Sequence, residues 1–334
     1  MQVLGEYFFR QTFPNPYGNL LYPGTNIFQG TPRMNNKNDY FIGMLFALSA
    51  AALNASIGVL SKILILSGFT PSGIAFSKTL LGFIFLSLLL LFLKYSPLKT
   101  KWYQVALCSF LGIFVLFYFE TAAYKIETAA NVVVVLMASA SISAMILSRV
   151  ILGDKIYVHS MLGAFCAILG IFLIFGVNFQ SGFSLYGTVL SIIAGSGYGA
   201  FSVMVKKMKL SGGLQLTRQL LFFGVIFLLL PASHDGVTMG EFNLTVVLAI
   251  CALAVLPTIL GFFCTTKAIQ YLKPTQVQIL ELSEPIFAAF LALLVLQENP
   301  STATLMGGAF ILFGICLSNN LLHFFKKRPV RDGG

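Results

Sequence analysis

The segments "LGDKIYVHSMLGAFCAILGIFLI" (Leu152–Ile174) and "LQENPSTATLMGGAFILFGICLS" (Leu296–Ser318) lie 144 residues apart and read as one pattern written twice. That offset puts Asp154 on Glu298, Gly163 on Gly307 and Gly170 on Gly314. Carried back along the chain, it also puts Gly43 on Gly187, Lys62 on Lys206 and Ser67-Gly68 on Ser211-Gly212. The register slips by about four residues near Lys78 and Arg218 and by about two near Ile126 and Leu272, then recovers. Shared helical composition can fake one or two such matches, but not this many at one offset, so the chain is an internal duplication.

The duplicated unit belongs in a membrane. The chain of 334 residues is 57% hydrophobic and only 10% charged, contains 33 Phe and has a mean hydropathy of +0.87. One or two soluble cores cannot hide that much apolar surface. A span needs about 20 mostly apolar residues at a rise of 1.5 Å each. Ten segments meet this: 41–61, 71–93, 102–123, 128–148, 156–176, 183–205, 214–231, 243–266, 274–296 and 301–323. Their apolar runs are continuous rather than alternating, which predicts helices and not barrel strands. The expected fold is an all-α integral membrane protein of ten transmembrane helices, one five-helix repeat over 41–176 and a second over 183–323. An odd number of spans inverts the second repeat relative to the first. Inverted repeats are a building plan of secondary transporters, with the substrate site between the halves.

The net charge of +10 is distributed by side rather than gathered into an anion-binding patch. With the N-terminus in the cytoplasm, 17 of the 21 basic residues fall in inside segments. Lys62 and Lys125 fall outside, and Lys78 and Arg218 fall within spans. This predicts a multi-pass protein of the inner (cytoplasmic) membrane with both termini in the cytoplasm, and no nucleic-acid partner. Residues 1–40 mix aromatics with Pro, Gly and Asn and read as a cytoplasmic extension, with Met34 as a candidate translation start. Residues 324–334 read as a basic cytoplasmic tail. The five cysteines are scattered over five spans without CxxC spacing, and the three histidines are far apart. No P-loop, GxSxG, HExxH or dinucleotide fingerprint occurs. Neither a metal site, a cofactor nor a catalytic motif is predicted.

The second repeat contains "ELSEPIFAAFLALLVLQEN" (Glu281–Asn299) followed by "GGAFILFGICL" (Gly307–Leu317). Together with the two five-span units, this resembles the EamA-type members of the drug/metabolite transporter superfamily, which carry Glu-Pro in the ninth span, an acid at its end and a Gly-rich tenth span. The first repeat departs from the pattern. Where the family often has a proline in span four, this chain has "ASASIS", with Ala140 and Ser141 opposite Glu284 and Pro285. The resemblance covers roughly 41–320. It implies a transporter, but the family's substrates run from amino acids and amines to nucleotide-like metabolites and drugs.

The ninth span holds the chemistry. On a straight helix, Gln278, Glu281, Glu284, Pro285, Ala288 and Ala292 share one face, and Ile279, Leu282, Ile286, Phe290 and Leu293 share the other. A charged side chain against hydrocarbon costs at least about 2.5–3.5 kcal/mol, so the acids are expected to face the bundle interior and the second stripe to face lipid. Two carboxylates one turn apart in low dielectric resist being ionised together, which suits them to carry a proton or to hold a substrate amine. Pro285 and Pro257 are candidate hinges, since each removes a backbone donor. Asn54 and Tyr198 are equivalent under the 144-residue offset and both interrupt apolar runs. Asn131, Lys78 and Glu120 are further intramembrane polar candidates; Lys78 either snorkels outward or reaches inward.

The sequence therefore points to a secondary transporter of a small organic metabolite, an amino acid or amine favoured, working by alternating access. The proton is the candidate coupling ion. Membrane lipid and the small-molecule metabolite are the expected partners. A rival within transport is an uncoupled exchanger or facilitator of a cationic metabolite or nucleotide-like solute. Rivals of another class are an intramembrane enzyme acting on lipid and a helper subunit with no transport of its own.

Overall fold

A bilayer offers backbone N–H and C=O groups no partner, so apolar runs of this length must satisfy themselves as helices. The computed structural model describes residues 37–93, 100–175, 184–236, 243–288, 290 and 302–318, and these contain helices but no strand. In the first half, α1 (Lys37–Asn54) and α2 (Ile57–Leu66) are two pieces of one path, followed by α3 (Pro71–Phe92). Next, α4 (Trp102–Ser109) runs through a π-helical stretch, Phe110–Val115, into α5 (Leu116–Ile126); α6 (Ala129–Leu147) and α7 (Val158–Phe175) complete that half. The second half has α8 (Leu185–Lys207), α9 (Leu214–Asp235), and α10 (Leu244–Leu253) continuing through the π-helical Ala254–Gly261 into α11 (Phe262–Tyr271). It ends with α12 (Pro274–Glu281), a helical piece over 284–288, and α13 (Thr302–Ser318).

Seven of these paths are long and apolar enough to cross a membrane, and Val158–Leu173 and Leu305–Ser318 are shorter apolar helices. The expected ninth span, 274–296, is described only to residue 288 and at Phe290. The sequence readings at Met34, Ala292, Leu293, Glu298 and the basic tail fall outside the described residues.

The helix starts are written in short-range chemistry. The Thr70 hydroxyl accepts from Gly73 N ahead of Pro71, Thr128 from Asn131 N, Ser184 from Gly187 N, and Asn243 from Val246 N. Each satisfies a donor that the first helical turn leaves free. At the C-terminal ends, two repeat-equivalent lysines do the capping. Lys62 Nζ donates to Glu127 O (2.7 Å) just past α5. Lys206 Nζ donates to Ile269 O (2.7 Å), Gln270 O (3.2 Å) and Leu272 O (2.9 Å) around the end of α11. A cation there meets both the unpaired carbonyls and the negative end of the helix dipole.

Packing pairs the halves. Helix α7 lies on α13, α3 on α9, α1 on α11, and α8 on both α5 and α6. On the α7–α13 seam, a Cβ at Gly163 would sit 2.5 Å from Gly314 O, and one at Gly170 would meet Gly307 O and sit 2.8 Å from Ile311 N. The two helices therefore cross antiparallel at backbone contact, which only glycine permits. Gly195 and Gly199 of α8 press on the backbone of α6 at Leu136 and Ala140, so those helices run parallel. Phe165, Leu169, Leu229 and Leu230 are exposed on the outside, a surface suited to lipid.

The stripe of the ninth span expected to face lipid is divided. Phe290 is 54% exposed, but Ile279 and Leu282 are fully buried. From Val277 to Glu281 the α12 piece is buried, packed against α1, α6 and α8.

Candidate functional site

Two helical paths break in the middle, each directly after a polar residue. The first breaks after Asn54, where Ala55 and Ser56 form a turn and the Ser56 hydroxyl donates to Leu53 O (2.9 Å). The second breaks at Leu282 and Ser283, between the two acids. There Leu282 N bonds Ile279 O (3.3 Å) and Ser283 N bonds Leu280 O (3.1 Å), three residues back rather than four, and the Ser283 hydroxyl also donates to Leu280 O (2.7 Å). Pro285 falls in the first turn of the following piece, where a missing N–H costs nothing. The single bent helix expected from Pro285 is thus two segments, and Glu281 and Glu284 stand on either side of the break. Pro257 lies inside the π-helical stretch Ala254–Gly261, where the Thr258 hydroxyl donates to Leu253 O (2.8 Å), the carbonyl that the proline cannot serve.

The break gives the two acids different surroundings. Glu281, fully buried, accepts from the Thr265 hydroxyl of α11 (2.8 Å) and from Gln278 Nε2 (3.3 Å). Thr265 Oγ1 is 3.1 Å from the Tyr198 hydroxyl of α8, and Gln278 Nε2 also donates to Ser202 Oγ (2.9 Å), whose hydroxyl donates to Tyr198 O (3.2 Å). Glu281 therefore connects to the Tyr198 hydroxyl through Thr265 and to the Tyr198 carbonyl through Gln278 and Ser202, in a network made by α8, α11 and α12.

Glu284 faces a different space. It lines a small cavity, about 20 Å³, together with Asn54, Glu120, Tyr198, Pro257 and the rings of Phe117 and Phe262. That is room for about one water-sized guest. Glu284 is 5% exposed, and its Oε2 has no hydrogen-bond partner among the described residues. Beside it, Glu120 takes the Tyr124 hydroxyl on Oε1 (3.4 Å), and its Oε2 lies 3.9 Å from Lys78 Nζ. Lys78 is fully buried, reaching inward, with its ammonium 3.8 Å from the centre of the Phe117 ring. Glu284, Glu120 and Lys78 thus lie together away from water, with Glu281 buried across the helix break, and each unpaired charge there costs several kcal/mol.

Of the residues singled out by sequence, Glu281, Gln278 and Tyr198 share one network, and Asn54, Glu284, Tyr198 and Pro257 line one cavity. Lys78 adjoins through Glu120. Asn131 is set apart: its Nδ2 donates to Glu127 Oε2 (3.0 Å) near the start of α6, where Ser184 N also bonds Glu127 Oε1. Position within a predicted span could not reveal that a helix-initial side chain would turn to this neighbour. Thr265, Ser202, Phe117 and Phe262 were not singled out. Threonine and serine are ordinary in membrane helices, and two rings among 33 Phe carry no signal.

Comparison with known proteins gives a consistent picture. The model of the "EamA-like transporter family" matches twice, over residues 41–176 and 185–320. An uncharacterized transporter of Archaeoglobus fulgidus is 26% identical over 233 residues, covering 68% of this chain and 80% of its own. The uncharacterized transporter YdfC of Bacillus subtilis is 23% identical over 259 residues, covering 76% of this chain and 83% of its own. A solved crystal structure superposes with a TM-score of 0.69 over 85% of this chain and 99% of that one; at 16% identity it speaks to the fold alone. Two family matches, one on each copy of the duplication, cover most of the sequence. The chain is a multi-pass membrane protein that belongs to the EamA-like transporter family.

Proposed function

We propose that this transporter moves a small organic metabolite, an amino acid or amine, across the cytoplasmic membrane by alternating access between two oppositely oriented five-helix halves. The observation that carries the reading is that Asn54 and Tyr198, which the 144-residue offset makes equivalent, line one buried cavity. Equivalent residues share a site when the site lies on the axis relating the two copies.

Reciprocal contacts support that axis. Gly163 meets Gly314 while Gly170 meets Gly307, and these are two equivalent pairs with the partners exchanged. Helix α1 packs on α11 as its equivalent α8 packs on α5, the counterpart of α11. Lys62 and Lys206 cap equivalent helix ends. Helix breaks at mid-path supply what a moving site needs: backbone that changes shape without unzipping a whole helix. The positive-inside charge pattern supports cytoplasmic termini.

Protons are the coupling ion in this reading, carried by Glu281 and Glu284. Glu281 is linked to the cavity through the Thr265 and Tyr198 hydroxyls, and Glu284 faces it directly. Purified protein in liposomes, screened with amino acids and amines under an imposed pH gradient, tests this. Uptake is expected to accelerate with the gradient and to lose that response in Glu281→Gln and Glu284→Gln. Transport indifferent both to the gradient and to the two substitutions rules the coupling out.

A further inference from the structure

We infer that the cavity at Glu284 is an ammonium site, and that the transported solute is an amine without a carboxylate of its own. The inference rests on the transport reading above and narrows its substrate class.

Charge carries the first step. Among the described residues, the cavity is lined by two carboxylates, Glu284 and Glu120, and by no cation. The nearby ammonium, Lys78, pairs with Glu120 and is stacked on Phe117, outside the lining. Lys78 is in ion-pair range of one acid only, 3.9 Å from Glu120 Oε2; that oxygen and Glu284 Oε2 both have no hydrogen-bond partner among the described residues, and Glu284 is only 5% exposed. A buried, unpartnered carboxylate oxygen on a residue that lines a cavity is best satisfied, when ionised, by a donor with positive charge.

The walls decide which cation. Phe262 stands edge-on to Phe117 (5.4 Å between centroids) and tilted to Tyr198 (6.4 Å), and all three rings border the cavity. Ring faces attract an ammonium. Lys78 already takes one face of Phe117, so Phe262 and Tyr198, which also pack on Phe201, are the remaining ring walls. A hard metal ion asks for six or more oxygens. Among the described residues, the cavity has polar side chains from Glu284, Glu120, Asn54 and Tyr198 only, and the rest of that lining is apolar. A zwitterionic amino acid would set its carboxylate against Glu284 and Glu120 with no cation in the lining to receive it. The volume, about 20 Å³, fits an –NH3+ head group and not a whole metabolite, so the rest of the solute is accommodated when the helices at the two breaks move apart.

The test uses the full chain in detergent micelles, with thermal unfolding followed at constant ionic strength. The probes are n-butylamine, n-butanol, norvaline and sodium chloride at equal concentration. Butylammonium is expected to raise the unfolding temperature by roughly 2–4 °C and the other three to leave it unchanged. The shift disappears in Glu284→Gln and survives, weakened, in Glu284→Asp. If Glu284→Gln does not fold, the comparison of probes on the unsubstituted protein still decides. No shift with butylammonium, an equal or larger shift with butanol, norvaline or sodium, or a shift retained in Glu284→Gln overturns the site. Counterflow in liposomes separates this from the transport reading. Amine binding without counterflow of any solute removes transport and leaves the site; counterflow of a neutral or anionic solute with no amine binding removes the site and leaves transport.

Discussion

The Thr265 hydroxyl joins Glu281 to the Tyr198 hydroxyl, and its replacement by valine keeps the shape while deleting that link. The threonine donates to Glu281 Oε1 at 2.8 Å and lies 3.1 Å from the Tyr198 hydroxyl, with all three side chains buried. Thr265→Val leaves a buried carboxylate short of a donor, at a cost of about 1–3 kcal/mol. At 1.4 kcal/mol per factor of ten, that is a loss of roughly 5–150-fold in any step that needs Glu281 to release and regain its proton. The assay is the initial rate of uptake into proteoliposomes driven by a pH gradient, set against counterflow at equal pH. The driven rate is expected to fall far more than counterflow, and Thr265→Ser, which restores the hydroxyl, is expected to recover it. A valine variant with the wild-type gradient response, or a serine variant as impaired as valine, would refute the relay.

Three further outcomes follow from the packing and the charges. Lys78→Met leaves Glu120 buried without its cation and is expected to destabilise by about 3–5 kcal/mol, read as a fall in unfolding temperature; adding Glu120→Gln is expected to restore much of it. Lys206→Met strips the donor shared by Ile269, Gln270 and Leu272 carbonyls and is expected to cost about 1.5–3 kcal/mol, more than Lys62→Met, which frees one carbonyl. Gly170→Leu must push apart a contact in which even a Cβ would lie 2.8 Å from Ile311 N, and is expected to cost about 1–3 kcal/mol or more in thermal stability.

Much of the architecture was legible because duplication leaves a trace in both spacing and composition. The Gly163–Gly307 and Gly170–Gly314 matches, read at one offset, are the same four glycines that meet on the α7–α13 seam. What the offset could not show was that each lysine of the Lys62–Lys206 pair ends another helix, since their charge already had a sufficient reading in topology. Burial of Glu281 and Glu284 followed from the cost of charge in hydrocarbon. Their separation by a break did not, because periodicity assumes a straight helix and Pro285 marks the wrong residue; the turn sits at Leu282 and Ser283. The break after Asn54 has neither proline nor glycine within it and left no signal beyond two polar side chains. Lys78 was ambiguous for a physical reason, since a long stem can snorkel or turn inward, and only the positions of Glu120 and Phe117 decide.

Access to Asn54 from the two sides of the membrane tests the alternating mechanism most directly. In a background with Cys108, Cys166, Cys251, Cys264 and Cys316 replaced by alanine, Asn54→Cys in oriented vesicles is exposed to a membrane-impermeant thiol reagent from either face. The account predicts labelling from both faces, with a transported amine protecting the thiol from each. Labelling from one face only under every condition, or from neither, contradicts it.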